Sequence, residues 1–389
     1  MNAAAVPPGE PGEPGEPRAA QRDARDDSLR AEIERSAQRI FGENVDAAAF
    51  AEVERGEWPQ RLWRVAVDVG FAAAPARAAH GGIEASWADA WPILHGVGFW
   101  QVPLPLAETM IGAMLLSMAG AAVPDGPIAL VDEACGGVRV EGVPGAPTLA
   151  GQASRVPWAR HCRWALVSIR DPDPGSVALV DLKQGERVRI VAGTNLAGEP
   201  RDEVTFADAR CALRIDALLP ALDAPVRHLA AMARSAAIAG ALESLLAQSV
   251  RYAGERVQFG RPIGSFQAIQ HALALLANET VAARTAALVA AGSAPSIAGM
   301  AASAAFDIAV AKLRCSEAAS RGAPIAHQVH GAIGFTREHP LHRATCRLWS
   351  WRDEYGSDAQ WAERLGSEAI REGSEGFWPA LTRRRFGDR

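Results

Sequence analysis

The sequence predicts an α+β protein of several domains, in which a helical domain, a β domain and a helical bundle follow one another. Three observations support this fold class. From Trp58 to Gly120, apolar residues recur at three- and four-residue spacing, the period of an amphipathic helix. From about Val123 to Leu222, short β-type runs alternate with glycine, proline and aspartate. Long alanine-rich amphipathic stretches follow Pro225, and a chain of 389 residues has room for all three units.

The N-terminal part of the chain is predicted to be a tail followed by a helical domain. Residues 1–26 include three Gly-Glu-Pro triplets, too few to hold a collagen helix, so we expect a disordered acidic tail there. Residues 27–122 form the predicted helical domain. Within it, Ser86 is the predicted N-cap of an amphipathic helix, and the run ETMIGAMLLSMAGAAV predicts a buried helix that ends near Gly120.

The remaining chain divides into two further predicted domains. Residues 123–222 contain runs such as IALVD, RWALVSI and SVALVDL at a spacing of roughly ten residues, which predicts an antiparallel β-sheet or β-barrel. Residues 223–389 contain four long helical stretches with short connections, which predict a C-terminal four-helix bundle.

Composition and charge exclude several classes of function. A net charge of −5 supplies no basic stripe for nucleic acid. The five cysteines and nine histidines are scattered without the spacing of a zinc site or a disulfide framework, so no metal is expected. The N-terminus has no apolar segment of a secretory signal, and we see no run of bilayer-spanning length. The expectation is a cytoplasmic protein without a membrane span.

The first motif with potential chemistry is Arg256-Val257-Gln258-Phe259-Gly260, followed by a new helix near Ser265 that carries Gln267. An arginine at such a place can pair with a phosphate group through two hydrogen bonds. A helix start also offers free backbone N–H groups to an anion. An ordinary connection between two helices would have the same pattern, so the motif alone leaves both interpretations open.

The second motif runs from Gln328 to Gly334 and contains two glycines, Gly331 and Gly334. Glycine allows a ligand or a neighbouring helix to approach the backbone closely. This pattern also occurs in ordinary loops.

Together, in this order and at this separation, the two motifs resemble those of the acyl-CoA dehydrogenase family. Its members carry an Arg-x-x-Phe-Gly element, a glutamine on the next helix and a Gln-x-x-Gly-Gly-x-Gly loop, in which the second glycine is Ala332 here. The order of helical, β and helical segments along the chain also agrees with the family.

The resemblance implies a flavoenzyme that binds FAD across a subunit interface. In the family, these motifs come from one subunit and hold the adenosine pyrophosphate of the FAD in the adjacent subunit. The cofactor-binding residues expected from the resemblance are Arg256, Phe259, Gln267, Gln328 and Gly331. The resemblance further implies an acyl-CoA substrate, a homotetramer or heterotetramer, an electron-transfer flavoprotein as electron acceptor, and a place in fatty acid or steroid catabolism.

The catalytic base of the family falls on an unexpected residue. Most members use the glutamate of a Tyr-Glu-Gly-Thr motif, and counting forward from Gln328 without a gap places Tyr355 at that position. A tyrosine, with an ordinary pKa near 10, stays neutral at working pH. The adjacent Glu354 and Asp353 are therefore the candidate catalytic residues, and His228 on the first helix of the bundle is a third candidate.

Two hypotheses follow. In the first, the chain is an FAD-dependent acyl-CoA dehydrogenase that converts an acyl-CoA thioester to a 2-enoyl-CoA with an unusual base. In the second, it is a catalytically reduced subunit that completes the FAD site of a partner chain. Both predict acyl-CoA dehydrogenation by the complex.

Overall fold

The computed structural model describes residues 16–132, 135–143, 145–169, 175–216, 218–219, 222–336 and 338–384. The predicted tail lies partly outside these residues, and the first helix begins within its range, at Glu16. The α-helices are α1 (Glu16–Asn44), α2 (Ala47–Glu54), α3 (Gln60–Asp68), α4 (Trp91–Phe99), α5 (Leu106–Met118), α6 (Pro225–Glu255), α7 (Gln267–Ser293), α8 (Ala304–His330), α9 (Leu341–Trp351) and α10 (Asp358–Arg383). Short 3₁₀ helices cover Phe71–Ala73, Ala78–His80, Ala159–His161, Gly185–Arg187, Ile263–Ser265 and Gly331–Phe335.

The N-terminal helices differ from the prediction at one boundary. Ser86 caps a turn and not a helix: its Oγ accepts from the Asp89 N–H, its own N–H and hydroxyl donate to the Asp89 carboxylate, and α4 begins only at Trp91. Pro92 in the first turn of α4 explains this start, because its fixed φ suits the first helical positions and it has no N–H to lose. The buried helix predicted before Gly120 is present as α5.

The middle of the chain forms a mixed sheet. Its strands are β1 (Ile128–Val131), β2 (Arg139–Val143), β3 (Ala146–Pro157), β4 (Trp164–Ile169), β5 (Ser176–Asp181), β6 (Val188–Val191) and β7 (Arg201–Ile215). The strand order is β1-β4-β5-β7-β3-β2, and β6 also pairs with β7.

The prediction of an antiparallel sheet holds for every described pair of this sheet except one, since β1 pairs with β4 in parallel. Two strands lie between β1 and β4 in the chain, and so long a connection allows the parallel arrangement that a tight hairpin forbids.

The C-terminal part packs five helices, α6 to α10. The fourth helical stretch of the sequence contains two of them, α9 and α10, separated by a turn at residues 352–357. Ser357 ends the turn with a capping box, in which its side chain accepts from the Gln360 N–H and the Gln360 side chain accepts from the Ser357 N–H. A two-residue hairpin of β8 (Val257–Gln258) and β9 (Arg261–Pro262) follows α6.

Helices from both ends of the chain share one hydrophobic core, to which β1, β4 and β5 also contribute, and the sheet encloses a second core. The helical core includes Phe41, Trp87, Met110, Leu242 and Trp351, and the sheet core includes Leu149, Val167, Val180, Val204 and Phe206. Gly98 shows how closely the two helical parts meet: a Cβ there would lie 1.7 Å from the Ala237 carbonyl oxygen of α6. The N-terminal helices are therefore packed directly on α6.

Two helices differ from the expectation that no segment reaches the length of a membrane span. By length and composition alone, α6 and α7 are long and apolar enough. The most apolar 18-residue stretch of α6 is 89% buried inside the protein, which makes α6 a core helix. The corresponding stretch of α7 is 28% buried.

Candidate functional site

The two sequence motifs meet at one end of the helical bundle. The ring of Tyr252, four residues before Arg256, stacks on His330 with 4.6 Å between centroids, and His330 directly precedes Gly331. The stack joins the last turn of α6 to the last turn of α8. Arg256 ends α6 in an extended conformation, and its carbonyl accepts from the Ile263 N–H at 2.8 Å, which closes the β8–β9 hairpin.

The predicted cofactor-binding residues are all exposed at this end of the bundle. They are Arg256, Phe259, Gln267, Gln328 and Gly331. The Phe259 residue is 92% exposed and has a left-handed φ of +52° at the hairpin tip. Among the described residues, the Arg256 guanidinium forms no ion pair. An unpaired cation beside free amides has the chemistry to bind an external anion.

Gly331 fits the same purpose. Its φ of +67° lies where glycine is strongly favoured, and no atom lies within 4 Å of the position a Cβ would take. The backbone is therefore open to an approaching ligand. The group as a whole suits the phosphates and polar edges of a dinucleotide cofactor.

A cavity of about 570 Å³ lies on a different face, between the sheet and the turn that joins α9 to α10. The candidate catalytic residues Asp353 and Glu354, together with Tyr355, line it. The sheet side contributes Asp132, Arg155, Asn195, Arg201 and Glu203 to the lining. The lining therefore combines charged side chains with apolar ones.

Tyr355 occupies the bottom of this cavity and is unsuited to accept a proton. Its residue is 7% exposed, its φ is +55°, and its hydroxyl donates to Glu108 Oε1 at 3.3 Å. Burial, followed by the charge of Glu108, raises the pKa of Tyr355 well above its ordinary value. The phenol thus stays protonated at any working pH.

Glu354 is held by two arginines. Arg201 Nε donates to Glu354 Oε1 at 2.7 Å, and the Arg234 guanidinium lies 3.0 Å from Oε2. The Glu354 side chain is 16% exposed. The two ion pairs hold the Glu354 carboxylate in one position.

Asp353 is the freer carboxylate of the turn. Its side chain is 52% exposed and lies 3.5 Å from Arg352 at a surface position. Because it also lines the cavity, it can reach a bound molecule without losing a buried partner.

His228 is absent from the lining of the cavity. Its ring is fully buried, Nδ1 donates to the Ala224 carbonyl at 2.8 Å, and the ring meets Trp361 edge to face. Burial lowers the pKa of His228 to about 4. It is a packing residue of α6.

Beneath the cavity lies a buried charge network that sequence reasoning missed. It contains three carboxylates and three guanidiniums, namely Glu108, Glu199, Glu354, Arg201, Arg234 and Arg347. Arg234 Nη2 donates to Glu108 Oε1 at 2.7 Å. One signal was available in the sequence, since Glu108 is the only charge of the apolar helix α5 and Arg234 is the only charge between Leu229 and Leu242 in α6.

Glu199 anchors the other side of this network, hereafter the buried charge network. Its carboxylate accepts from Arg347 Nε at 3.0 Å, from Arg201 Nη2 at 3.1 Å and from Trp351 Nε1 at 2.9 Å. Burial opposes its ionisation, but Arg347 and Arg201 outweigh burial and lower the pKa of Glu199 to about 2. Glu199 therefore stays ionised, and each carboxylate of the network has a guanidinium partner.

Comparison with known proteins agrees with this geometry. The family model for the C-terminal domain of acyl-CoA dehydrogenases matches residues 228–352. The acyl-CoA dehydrogenase IpdE2 of Mycobacterium tuberculosis is 32% identical over 302 residues, which are 76% of this chain and 81% of that protein.

Two solved structures share the fold. A variant of the Tcur3481–Tcur3483 steroid ACAD has a TM-score of 0.79 at 24% identity, covering 90% of this chain and 99% of that one. The ChsE4–ChsE5 complex from Mycobacterium tuberculosis has a TM-score of 0.74 at 22% identity, covering 88% and 97%. With a relative of this identity and coverage, the chain belongs to the acyl-CoA dehydrogenase family.

Proposed function

We propose that the chain is an FAD-dependent acyl-CoA dehydrogenase that oxidises an acyl-CoA thioester to the 2-enoyl-CoA. The observation that carries the proposal is the exposed group of motif residues at the bundle end, formed by Arg256, Phe259, Gln267, Gln328 and Gly331. A folded protein gains nothing from an unpaired cation, an open glycine and a 92% exposed phenylalanine at one place unless something outside the chain binds there.

The residues of this group would hold the pyrophosphate and adenosine portions of FAD. Arg256 would pair with phosphate oxygens, Gln267 and Gln328 would bond polar edges, and Gly331 would allow close backbone approach. When bound, FAD supplies an acceptor for the hydride that leaves the β-carbon of the acyl group.

The chain's own carboxylates provide the proton chemistry. Asp353 is the proposed base for the α-proton, because its side chain is half exposed and faces the cavity. Glu354, the other candidate from the sequence, lies between Arg201 and Arg234. Its proposed role is to fix the turn and the local charge.

The motif group lies on a different face from the cavity, which favours an assembly in which each FAD is shared by two chains. A homotetramer or heterotetramer is the proposed state. The Tcur3481–Tcur3483 and ChsE4–ChsE5 proteins are each named for two chains, which supports a heteromer. The former is a steroid ACAD, which also supports a steroid-derived acyl-CoA as substrate here. A cytoplasmic location and an electron-transfer flavoprotein as acceptor complete the proposal.

The decisive experiment purifies the chain alone and measures FAD per chain, followed by reduction of the flavin by acyl-CoA substrates. Asp353→Asn and Glu354→Gln separate the two candidate bases, with Asp125→Asn, an exposed aspartate elsewhere, as the control. We expect Asp353→Asn to slow flavin reduction at least about a hundredfold, the usual contribution of a general base. We expect Glu354→Gln to lower the free energy of unfolding and to leave the rate of flavin reduction nearly unchanged.

Other outcomes revise the proposal in defined ways. If the chain retains FAD only after co-expression with a second acyl-CoA dehydrogenase chain, the partner-subunit hypothesis replaces the stand-alone one. If Asp353→Asn does not alter flavin reduction by a loaded enzyme, Asp353 loses its proposed role as the base. If Glu354→Gln leaves the free energy of unfolding unchanged, Glu354 loses its proposed role in fixing the turn.

A further inference from the structure

The chain uses lysine only twice. Of 40 lysine and arginine residues, Lys183 and Lys312 are the lysines. Lys183 lies exposed in the turn after β5, whereas Lys312 on α8 is fully buried. A buried lysine in a protein that otherwise relies on arginine needs a specific reason, because a charged ammonium is costly to remove from water.

The ammonium of Lys312 holds the two ends of one turn. Its Nζ donates to the Arg352 carbonyl at 2.6 Å, to the Gly356 carbonyl at 2.8 Å and to Ser316 Oγ at 2.9 Å. The Ser316 hydroxyl in turn donates to the Arg352 carbonyl at 3.1 Å. Both carbonyls follow the end of α9, where a helix leaves its last carbonyls without partners.

The turn between those carbonyls is the one that carries Asp353, Glu354 and Tyr355. Tyr355 has a φ of +55°, a conformation that a tyrosine keeps only when its surroundings hold it. The Tyr355 carbonyl accepts from Trp361 Nε1 at 3.1 Å, and its hydroxyl donates to Glu108. Lys312 thus completes the set of contacts that fix this strained turn.

We propose that Lys312 is a positioning residue that sets the geometry of the turn from Arg352 to Gly356, and that it does so only as the ammonium. Three acceptors surround Nζ, and an ammonium has three hydrogens to donate, whereas the neutral amine has two. Arginine cannot replace it, because a planar guanidinium does not converge on three acceptors around one nitrogen. The catalytic consequence rests on the proposed function, but the positioning itself does not.

The surroundings of Lys312 leave it as the group that changes charge near neutrality. The ionisable groups that face it are Cys315 on α8, Asp353 and Glu354 on the turn, and Arg234 on α6. Burial lowers the pKa of Lys312 to about 7. Burial raises the pKa of Cys315 to about 12, so that thiol stays neutral over the same range.

The small number of lysines and tyrosines makes a direct test feasible. Lysine labelled with ¹³C at Cε gives two side-chain signals, and Lys183→Met assigns them. Tyrosine labelled with ¹³C in the ring gives two more, because the chain has only Tyr252 and Tyr355, and Tyr252→Phe assigns those. Neither measurement needs bound flavin or activity.

We expect the Lys312 signal to titrate with a midpoint near pH 7, and the Tyr355 signal to shift with the same midpoint. In Lys312→Met the pH-dependent shift of Tyr355 should vanish, and in Lys183→Met it should persist unchanged. If Lys312→Met does not fold, the coincidence of the two midpoints in the unaltered protein still decides the matter.

A Tyr355 signal that stays constant between pH 6 and 8.5, or whose midpoint differs from that of Lys312, overturns the proposal. A shift that survives in Lys312→Met also overturns it. In the flavin-loaded enzyme, kcat should fall above pH 7 in step with the Tyr355 shift. If no acyl-CoA is oxidised at all, the proposed function fails, but the lysine and tyrosine titrations still test the positioning role.

Discussion

In the described part of the chain, charged groups are exposed and unpaired at the outer end of the bundle, whereas those beside the turn that lines the cavity are buried in ion pairs. At the outer end, Arg256 is exposed and forms no ion pair among the described residues, and Phe259 is almost fully exposed. At the turn, each carboxylate of the buried charge network has a guanidinium partner within 3.1 Å. Water satisfies the outer groups until a ligand displaces it. The inner groups are largely buried, so they depend on one another for ion pairs and hydrogen bonds.

This contrast teaches that the two regions should respond differently to substitution. Changes at the outer end should affect binding and leave folding intact. Changes in the network should affect folding, whatever they do to activity. Four substitutions follow, ordered by the size of the expected effect: three test the contrast directly, and the one at His228 tests a buried titratable group outside both regions.

The largest effect is expected from Arg234→Met. The change leaves Glu108 and Glu354 buried without their shared cation, so we expect the free energy of unfolding to fall by about 3–5 kcal/mol. Urea denaturation measures it. The control is Arg139→Met, whose exposed pair with Glu141 should contribute less than about 1 kcal/mol. A loss below about 1 kcal/mol for Arg234→Met would show that the network is not essential to the fold.

A pH effect of similar size is expected at His228. Its pKa is 6.5 when unfolded and about 4 when folded, so the unfolded chain binds more protons between these values. The free energy of unfolding should therefore fall as the pH drops from 6.5 to 4, by up to about 3 kcal/mol from this residue.

Urea denaturation gives the free energy of unfolding of the wild type and of His228→Leu at pH 7, 5.5 and 4.5. The contribution of His228 is the difference between the two proteins in how steeply this free energy changes with pH. His271→Leu, at an exposed position of α7, should keep the wild-type slope. Equal slopes for all three proteins would contradict the buried, neutral imidazole.

Arg256→Ala tests the outer end. The loss of a charge-assisted hydrogen bond to phosphate should weaken FAD binding about 10- to 100-fold, corresponding to about 1.5–3 kcal/mol. The melting temperature without flavin should stay unchanged, because no ion pair within the described chain is lost. Flavin fluorescence titration measures the affinity, and Arg189→Ala on β6 is the matched control. Unchanged FAD affinity would remove Arg256 from the site.

The smallest effect on folding is expected from Phe259→Ala. The residue is 92% exposed, so removal of its ring should alter the free energy of unfolding of the isolated chain by less than about 0.5 kcal/mol. The sedimentation coefficient and the amount of FAD bound per chain should nonetheless decrease, because the ring is proposed to be covered in the assembly. A large loss in the free energy of unfolding, together with an unchanged assembly, would show that Phe259 serves folding and not binding, contrary to the proposal.

Local patterns predicted much of this molecule. The order of helices, strands and helices, the buried helix α5 and the long helices α6 to α8 follow from periodicity and composition. The two motifs identified the family, and the relatives confirm it. The N-cap at Ser86 was wrong because the proline at position 92 fixes the helix start, and the parallel pairing of β1 with β4 was missed.

The candidate site also has residues that the sequence predicted and residues that only the structure brings together. Sequence alone named Arg256, Phe259, Gln267, Gln328 and Gly331, and it placed a tyrosine at the family's base position, because these depend on order along the chain. Only the tertiary structure decided that Glu354 lies between Arg201 and Arg234, that Asp353 is the freer carboxylate, and that Lys312 holds their turn. The physical reason is distance in sequence: Glu354 and Arg201 are 153 residues apart. Charges bury and compensate one another only where the folded chain brings such positions into contact.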